Sequence, residues 1–175
     1  MASKVLLIIF ALFLSSAAYA DETDAGQALP ALSVLKSLPD SVKNLLGYAL
    51  SQTGASYRRG GASPDTGFDC SGFVRYVFDH VEGLSLPHSS RAMSLIGSRI
   101  RLVDLKPGDL VFFRIVRHRI SHVGIYLGNN QFIHAASSRT GSVMISDLTE
   151  GYWARRFSVA RRVVSTSPES SGITE

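Results

Sequence analysis

The chain has 175 residues, of which 45% are hydrophobic, a formal net charge of +4 and a single cysteine, Cys70. One cysteine excludes a disulfide within the chain, and the absence of an internal repeat excludes a repeat architecture. Beyond the N-terminal segment, no apolar run has the length of a membrane span. The mild basicity is as typical of an ordinary solvated surface as of a protein with an anionic partner.

The N-terminus is typical of a cleaved signal peptide over residues 1–20. Lys4 gives a positive start, residues 5–14 form a continuous apolar run, and small residues lead to "AYA" before the acidic Asp21. The run is too short for a transmembrane helix, so we expect export through the Sec pathway without stable membrane insertion. Cleavage leaves about 155 residues, enough for one domain with an apolar core.

Composition divides the mature chain into three parts. Residues 21–38 have a mixed composition that predicts an N-terminal tether. Residues 39–164 carry the periodic apolar patterns of a folded domain. Residues 165–175 have no apolar periodicity, which predicts a disordered tail.

The first half of the domain is predicted to be helical. Asp40 can cap a helix that stops at Gly54, and Asp69 can cap a second helix in "CSGFVRYVFDHV". A third, short helix is expected in "SSRAMSLIG". Apolar residues recur at helical spacing in the two longer segments, at Val42, Leu45, Leu46 and Ala49, and at Phe73, Val74, Val77, Phe78 and Val81.

The second half changes to short segments rich in β-branched and aromatic residues, separated by Gly, Asn and Ser. Such segments are typical of strands, here "GDLVFFRI", "HVGIYLG", "QFIHAA", "SVMISDL" and "FSVARRVV". Helices followed by adjacent strands indicate an α+β fold with a mainly antiparallel sheet.

Cys70 is the first candidate for chemistry, because it falls in the first turn of the second predicted helix. Unpaired backbone N–H groups and the positive end of the helix dipole then face the sulfur. These favour the thiolate, so we expect a thiol pKa below the ordinary value. A nucleophile also needs a base within reach, oriented by a third group.

Two of the five histidines, His122 and His134, lie in strand-like segments of one apparent hairpin. His80 is about 15 Å along the same helix as Cys70, and His88 and His118 fall in predicted loops. A two-residue loop without a bulge pairs Ile125 with His134 and points the two histidines to opposite faces. A longer loop or a bulge pairs Gly124 with His134 and places both histidines on one face, as a Cys–His–His relay requires. The sequence permits both arrangements.

These residues resemble the NlpC/p-sixty family of cell-wall cysteine peptidases. The resemblance covers roughly residues 41–164, in the family's order. It rests on "YRRGG", "DCSGFVRYVF", "LPHSS", "LKPGDLVFF", "HVGIYLGNNQFIHA" and "YWARRF". It implies a papain-like fold, with N-terminal helices packed on a mainly antiparallel sheet. It also implies a peptidoglycan endopeptidase that hydrolyses an amide bond of the stem peptide or cross-link through a thioester, without a metal or other cofactor.

The resemblance assigns a role to each candidate residue. Cys70 would be the nucleophile, His122 the general base and His134 the residue that orients His122. Tyr57 would line the oxyanion site together with the Cys70 backbone N–H. Two further residues, Asp69 and Ser71, flank the nucleophile, where the family places helix-capping and substrate-contacting groups, and for Asp69 both roles stay open.

Two departures from the family pattern fall at the expected rim of the cleft. Arg59 stands where close relatives often carry Trp, and His88 stands where Arg is common. Both bear on peptide specificity more than on the chemistry.

The resemblance also sets expectations for partners and location. Peptidoglycan stem peptides would be the substrate, nucleic acid is not expected as a partner, and the protein would be a periplasmic or extracellular monomer. The scissile bond would be either the D-alanine–diaminopimelate cross-link or the γ-D-glutamyl–diaminopimelate bond.

Three other functions are alternatives to this one. A zinc peptidase could use His118 and His122 if "HRISH" were helical, but the Glu of H-E-x-x-H is missing. An amidase or acyltransferase could use the same Cys–His chemistry on another acyl group. A non-catalytic wall-binding module could retain the fold.

Overall fold

The computed structural model describes residues 37–116, 118–136 and 141–163. The predicted signal peptide and tail, and residues 21–36 of the predicted tether, lie outside the described residues. From Leu38 onward the described residues belong to one compact unit. In the described part of the chain, no helix combines the length and apolar character needed to cross a membrane.

The two long helices form where the apolar spacing predicted them. Helix α1 spans Asp40–Ser51 and helix α2 spans Cys70–Glu82. Helix α3 (Ser90–Met93), a 3-10 turn (Leu102–Asp104) and helix α4 (Gly151–Ala154) are short. The predicted apolar positions of α1 and α2 are buried, and Val81 is partly buried against the same core.

The predicted ends of α1 were wrong. Asp40 is the first helical residue, and its carboxylate accepts a hydrogen bond from Lys43 at 2.9 Å instead of capping the backbone. The helix stops at Ser51 because the next N–H groups, of Gln52 and Thr53, bond to carbonyls three residues back. Gly54 follows this tightened turn with a positive φ of 87°.

A six-stranded sheet follows the helices. Its strands are β3 (Ser98–Ile100), β4 (Leu110–Val116), β5 (Arg119–Gly128), β6 (Gln131–Ala135), β7 (Val143–Asp147) and β8 (Phe157–Arg162). They lie in the order β3-β8-β4-β5-β6-β7, and every pair is antiparallel. The α+β prediction is therefore confirmed. A small hairpin of β1 (Ala62–Ser63) and β2 (Gly67–Phe68) precedes α2, with strands too short for a sequence pattern to reveal.

The sheet separates two apolar cores, because successive strand residues point to opposite faces. Helices α1 and α2 cover one face, where Phe112, Val123 and Ile125 are fully buried. The other face carries a smaller, aromatic core that includes Phe113, Tyr126, Phe132 and Trp153.

Candidate active site

Cys70 begins helix α2, and the capping residue before it is the predicted one. The Asp69 carboxylate accepts a hydrogen bond from the Gly72 N–H at 2.7 Å, which fixes the first turn of the helix. The backbone N–H groups of Cys70 and Ser71 face the sulfur and favour its ionised form. The sulfur therefore lies at the open N-terminal end of the helix, as expected.

The same sulfur contacts the strand that carries His122. The Sγ atom of Cys70 lies 3.9 Å from the carbonyl oxygen of Ser121, and the backbone N–H of Val123 also points at it. These two residues flank His122 in strand β5. The helix N-terminus is thus seated directly against the backbone on both sides of the candidate base.

The hairpin of β5 and β6 takes the arrangement that a relay requires. Its loop is the two-residue turn Asn129–Asn130, in which both residues have positive φ, at 49° and 62°. A β-bulge at Leu127 shifts the register, so that Ile125 pairs with Ile133 and Gly124 faces His134. Without the bulge the two histidines would point to opposite faces.

His122 and His134 are joined by a direct hydrogen bond. Nε2 of His122 lies 2.8 Å from Nδ1 of His134, and Nε2 of His134 lies 3.0 Å from the hydroxyl of Ser146 on β7. If Ser146 accepts from His134, then His134 accepts from Nε2–H of His122, and Nδ1 of His122 is left without a proton. That tautomer is the one in which His122 can act as a base.

Aromatic side chains enclose the histidine pair. The indole of Trp153 stacks on His122 with ring centroids 5.4 Å apart, and Phe132 stacks on His134 at 4.8 Å. Phe113 lies 6.1 Å from His122 and packs edge-on against Trp153 at 4.8 Å. No sequence pattern pointed to these residues or to Ser146 as part of the site, although Trp153 lies within the family motif "YWARRF".

Burial sets the charge state of the three candidate catalytic residues. It raises the pKa of Cys70 to about 11, and the negative charge of Asp69 acts in the same direction. Burial lowers the pKa of His122 to about 4, and the charge of Asp69 has a smaller, opposite effect. Burial also lowers the pKa of His134 to about 3. The expected thiolate was therefore wrong: desolvation outweighs the helix N–H groups, and at neutral pH the site holds a thiol and two neutral imidazoles.

Tyr57 lies next to the nucleophile. Its side chain is half-buried, and burial, then the charges of Cys70 and Asp69, raise the pKa of its hydroxyl. Its backbone pairs with Phe68, two residues before Cys70. The phenol consequently stays protonated at neutral pH and can donate a hydrogen bond, as an oxyanion site needs.

Asp69 and Ser71 are occupied by hydrogen bonds within the protein. Asp69 accepts from the Ser71 hydroxyl at 2.9 Å through Oδ1, and from the Gly60 N–H at 2.9 Å through Oδ2. Ser71 is buried. These contacts favour a structural role, in which Asp69 ties the Gly60 loop to the start of α2.

The other histidines lie apart from this cluster. His118 is an exposed residue of the β4–β5 turn with a φ of 57°, so "HRISH" is not helical and the pairing proposed for zinc does not form. His80 is exposed and stacks on Tyr48, with ring centroids 4.2 Å apart, while His88 contacts Arg75 at 3.5 Å.

A cysteine at a helix N-terminus, seated on a hairpin that carries a buried histidine pair, has the parts of a thiol hydrolase site. Residues 54–162 match the model of the NlpC/P60 family, and the chain belongs to that family. The expected family is thereby confirmed.

Two curated relatives and one solved structure illustrate the similarity. The murein DD-endopeptidase MepS/murein LD-carboxypeptidase of Escherichia coli K12 is 46% identical over 114 residues, covering 65% of this chain and 58% of that protein. A probable endopeptidase NlpC homolog of Haemophilus influenzae is 44% identical over 111 residues, covering 63% and 57%. The chain thus spans somewhat over half of the length of these relatives. The peptidoglycan hydrolase RipB of Mycobacterium tuberculosis superposes with a TM-score of 0.61 at 29% identity, covering 79% of this chain and 78% of that one.

Proposed function

We propose that the chain is a peptidoglycan endopeptidase that hydrolyses an amide bond in the stem peptide or its cross-link through a Cys70 thioester. The observation that carries the proposal is the seating of the Cys70 sulfur against the backbone on both sides of His122, whose imidazole is hydrogen-bonded to His134. The names of the relatives, murein endopeptidase and peptidoglycan hydrolase, support the substrate class.

Acylation begins from the uncharged pair. The Cys70 sulfur attacks the carbonyl carbon of the scissile amide while Nδ1 of His122 takes the thiol proton. The carbonyl oxygen becomes an oxyanion, which the Cys70 N–H and the Tyr57 hydroxyl stabilise. The imidazolium then gives its proton to the leaving amine, the C–N bond breaks, and a thioester on Cys70 remains.

In deacylation, water is the nucleophile and the Cys70 sulfur is the leaving group. His122 removes a proton from a water molecule, the resulting nucleophile attacks the thioester carbonyl, and the proton returns to the departing sulfur. The products are a carboxylic acid and a free amine, and the thiol is regenerated. Through both steps His134 holds the ring orientation and tautomer of His122, and Ser146 does the same for His134.

The aromatic enclosure has a consequence for this mechanism. Because burial disfavours the imidazolium, the ion pair of sulfur and His122 is a transient state reached during attack. His134 assists by accepting a hydrogen bond from the charged ring of His122, and Ser146 holds His134 in the tautomer that can accept it. We also propose that the enzyme works as a monomer, in the periplasm or outside the cell, where its substrate lies.

Cys70→Ala tests the proposal. Purified wild-type protein should release soluble fragments from purified sacculi, and Cys70→Ala should release none while unfolding at the wild-type temperature, because a small residue replaces another in a helix first turn. Mass spectrometry of the fragments identifies the bond that is cut. Release of the same fragments by Cys70→Ala would rule out Cys70 as the nucleophile, and inactivity of the wild type on every sacculus preparation would rule out the proposed substrate.

A further inference from the structure

A cleft of about 360 Å³ lies between helix α3 and the β4–β5 hairpin. Arg91 of α3, Arg114 of β4 and Arg119 of β5 line it, and Ile120 belongs to its wall. Leu95, which is 75% exposed, contributes an apolar wall. The cleft therefore combines guanidinium groups with apolar surface, which is the lining of a site for an anionic organic ligand.

None of the three guanidinium groups is neutralised by the described residues. The lining includes no Asp or Glu, and the ion pairs in the described part of the chain join Lys43 to Asp40, Arg101 to Asp104 and Arg162 to Asp109. An adjacent cleft of about 390 Å³ shares Arg114 with the first and adds Arg155 and Arg156. Positive charge thus continues across both clefts without a counter-ion among these residues.

The first cleft and the nucleophile contact adjacent residues of β5. Ile120 in its wall immediately precedes Ser121, whose carbonyl oxygen lies 3.9 Å from the Cys70 sulfur. Consecutive residues of a chain are about 3.8 Å apart. The wall at Ile120 therefore lies within the reach of a few residues of an extended peptide whose carbonyl carbon lies at Cys70.

We infer that this cleft binds free carboxylates of the substrate on one side of the scissile bond, an inference that rests on the proposed function. A γ-linked glutamate keeps its α-carboxylate, and diaminopimelate and terminal D-alanine supply further ones, so a stem peptide is a multiply anionic ligand. Arginine recognises carboxylates through paired N–H groups. The concave shape of the cleft favours a peptide that reaches into it over a membrane surface.

The test compares two forms of one soluble, cross-linked stem-peptide dimer, with its carboxylates free or converted to carboxamides. The variants are Arg119→Gln and Arg91→Gln, and the control is Arg99→Gln, an exposed arginine of β3 that lines neither cleft. Steady-state kinetics give KM and kcat for each protein with each form. Binding of both forms to Cys70→Ala measures affinity without turnover.

We expect the wild type to have a KM roughly fivefold lower for the free-acid dimer than for the amidated dimer. Arg119→Gln and Arg91→Gln should each raise KM for the free acid by a similar factor, with kcat and the amidated KM unchanged. Arg99→Gln should match the wild type. In Cys70→Ala, the free acid should bind more tightly than the amidated form.

The outcomes separate the two proposals. The carboxylate inference is wrong, while the proposed function stands, if the wild type cleaves both forms of the dimer with equal KM. The same conclusion follows if the cleft variants change the KM of both forms by the same factor. If the wild type cleaves neither form nor sacculi, the proposed function fails. If the cleft variants keep the free-acid preference but lose binding to phosphatidylglycerol vesicles, the cleft is a membrane-docking surface, and the inference is overturned.

Discussion

Gly124 and His134 face each other across strands β5 and β6 with no room for a side chain between them. A Cβ atom on Gly124 would lie 3.2 Å from Cβ of His134, 2.9 Å from the carbonyl oxygen of Ile133 and 2.7 Å from the ring of Phe132. His134 thus takes a place in the sheet that only a glycine opposite it allows. The hydrogen bond between His122 and His134 depends on that close approach.

Gly124→Ala should therefore damage both stability and activity. Because backbone and a packed ring both obstruct the new methyl group, we expect a loss of about 1–3 kcal/mol in the free energy of unfolding. Displacement of His134 should also lower kcat. Gly47→Ala is the matched control, since a Cβ at this helical position meets nothing within 4 Å, and it should stabilise by about 0.5–1 kcal/mol. Denaturant unfolding and hydrolysis of sacculi measure the two effects, and a fully active Gly124→Ala protein would show that the register is not needed.

Replacement of the two histidines should give unequal losses. His122→Ala removes the base, so its activity should fall nearly to that of Cys70→Ala. His134→Gln keeps a side chain that can accept from Nε2–H of His122, so measurable activity should remain. Initial rates of fragment release at equal folded concentration provide the comparison. Equal inactivity of both variants would mean that His134 takes part directly in the chemistry.

Ser146 is expected to act through the tautomer of the histidine pair. Ser146→Ala removes the group that bonds to Nε2 of His134 at 3.0 Å, so the ring protons can shift to the tautomer in which His122 cannot accept the thiol proton. We expect a fall in kcat of roughly tenfold with KM unchanged. Ser146→Thr keeps the hydroxyl and suits a strand, so it should restore most of the rate. A rise in KM alone would instead assign Ser146 to substrate binding.

The protonation of the resting site can be measured directly. Because the pKa of Cys70 is raised to about 11, the thiolate forms only as the pH rises toward that value. Because the pKa of His122 is lowered to about 4, its ring becomes charged only as the pH falls toward that value. The rate constant kcat/KM should be flat between these limits and fall at both ends.

The ultraviolet absorbance of the Cys70 thiolate can be measured as the difference between the wild type and Cys70→Ala. This difference should be absent at neutral pH. Iodoacetamide alkylation should likewise increase only in alkaline solution, in the wild type and in His122→Ala alike. Thiolate absorbance at neutral pH that disappears in His122→Ala would demonstrate a stable ion pair and contradict the effect of burial described above.

Local patterns in the sequence were enough to predict the elements that carry the site. Helix α2 begins at Cys70 because Asp69 caps the N–H three residues later, an interaction within one turn of chain. The five longer strands follow from short β-branched and aromatic segments between turn residues, and both histidines were placed on one hairpin. These features depend on neighbours in the chain, so the order of residues determines them.

Contacts between distant segments decided the hairpin register and the place of Ser146 in the site. The sequence left two registers open for the hairpin, and the bulge at Leu127 in the pairing of β5 with β6 selected the one that joins His122 to His134. Ser146 enters the site because β7 pairs with β6, a neighbour relation that a linear pattern does not contain.

The charge state of Cys70 also depends on both local sequence and tertiary structure. The sequence by itself determined the helix N-terminus that favours thiolate at Cys70, and that effect is present in the structure. Only the tertiary structure decided that the thiol stays protonated, because strand β5 and the surrounding core partly remove the sulfur from water. Local dipoles are fixed by chain neighbours, whereas desolvation depends on everything packed around a group, and here desolvation has the larger effect.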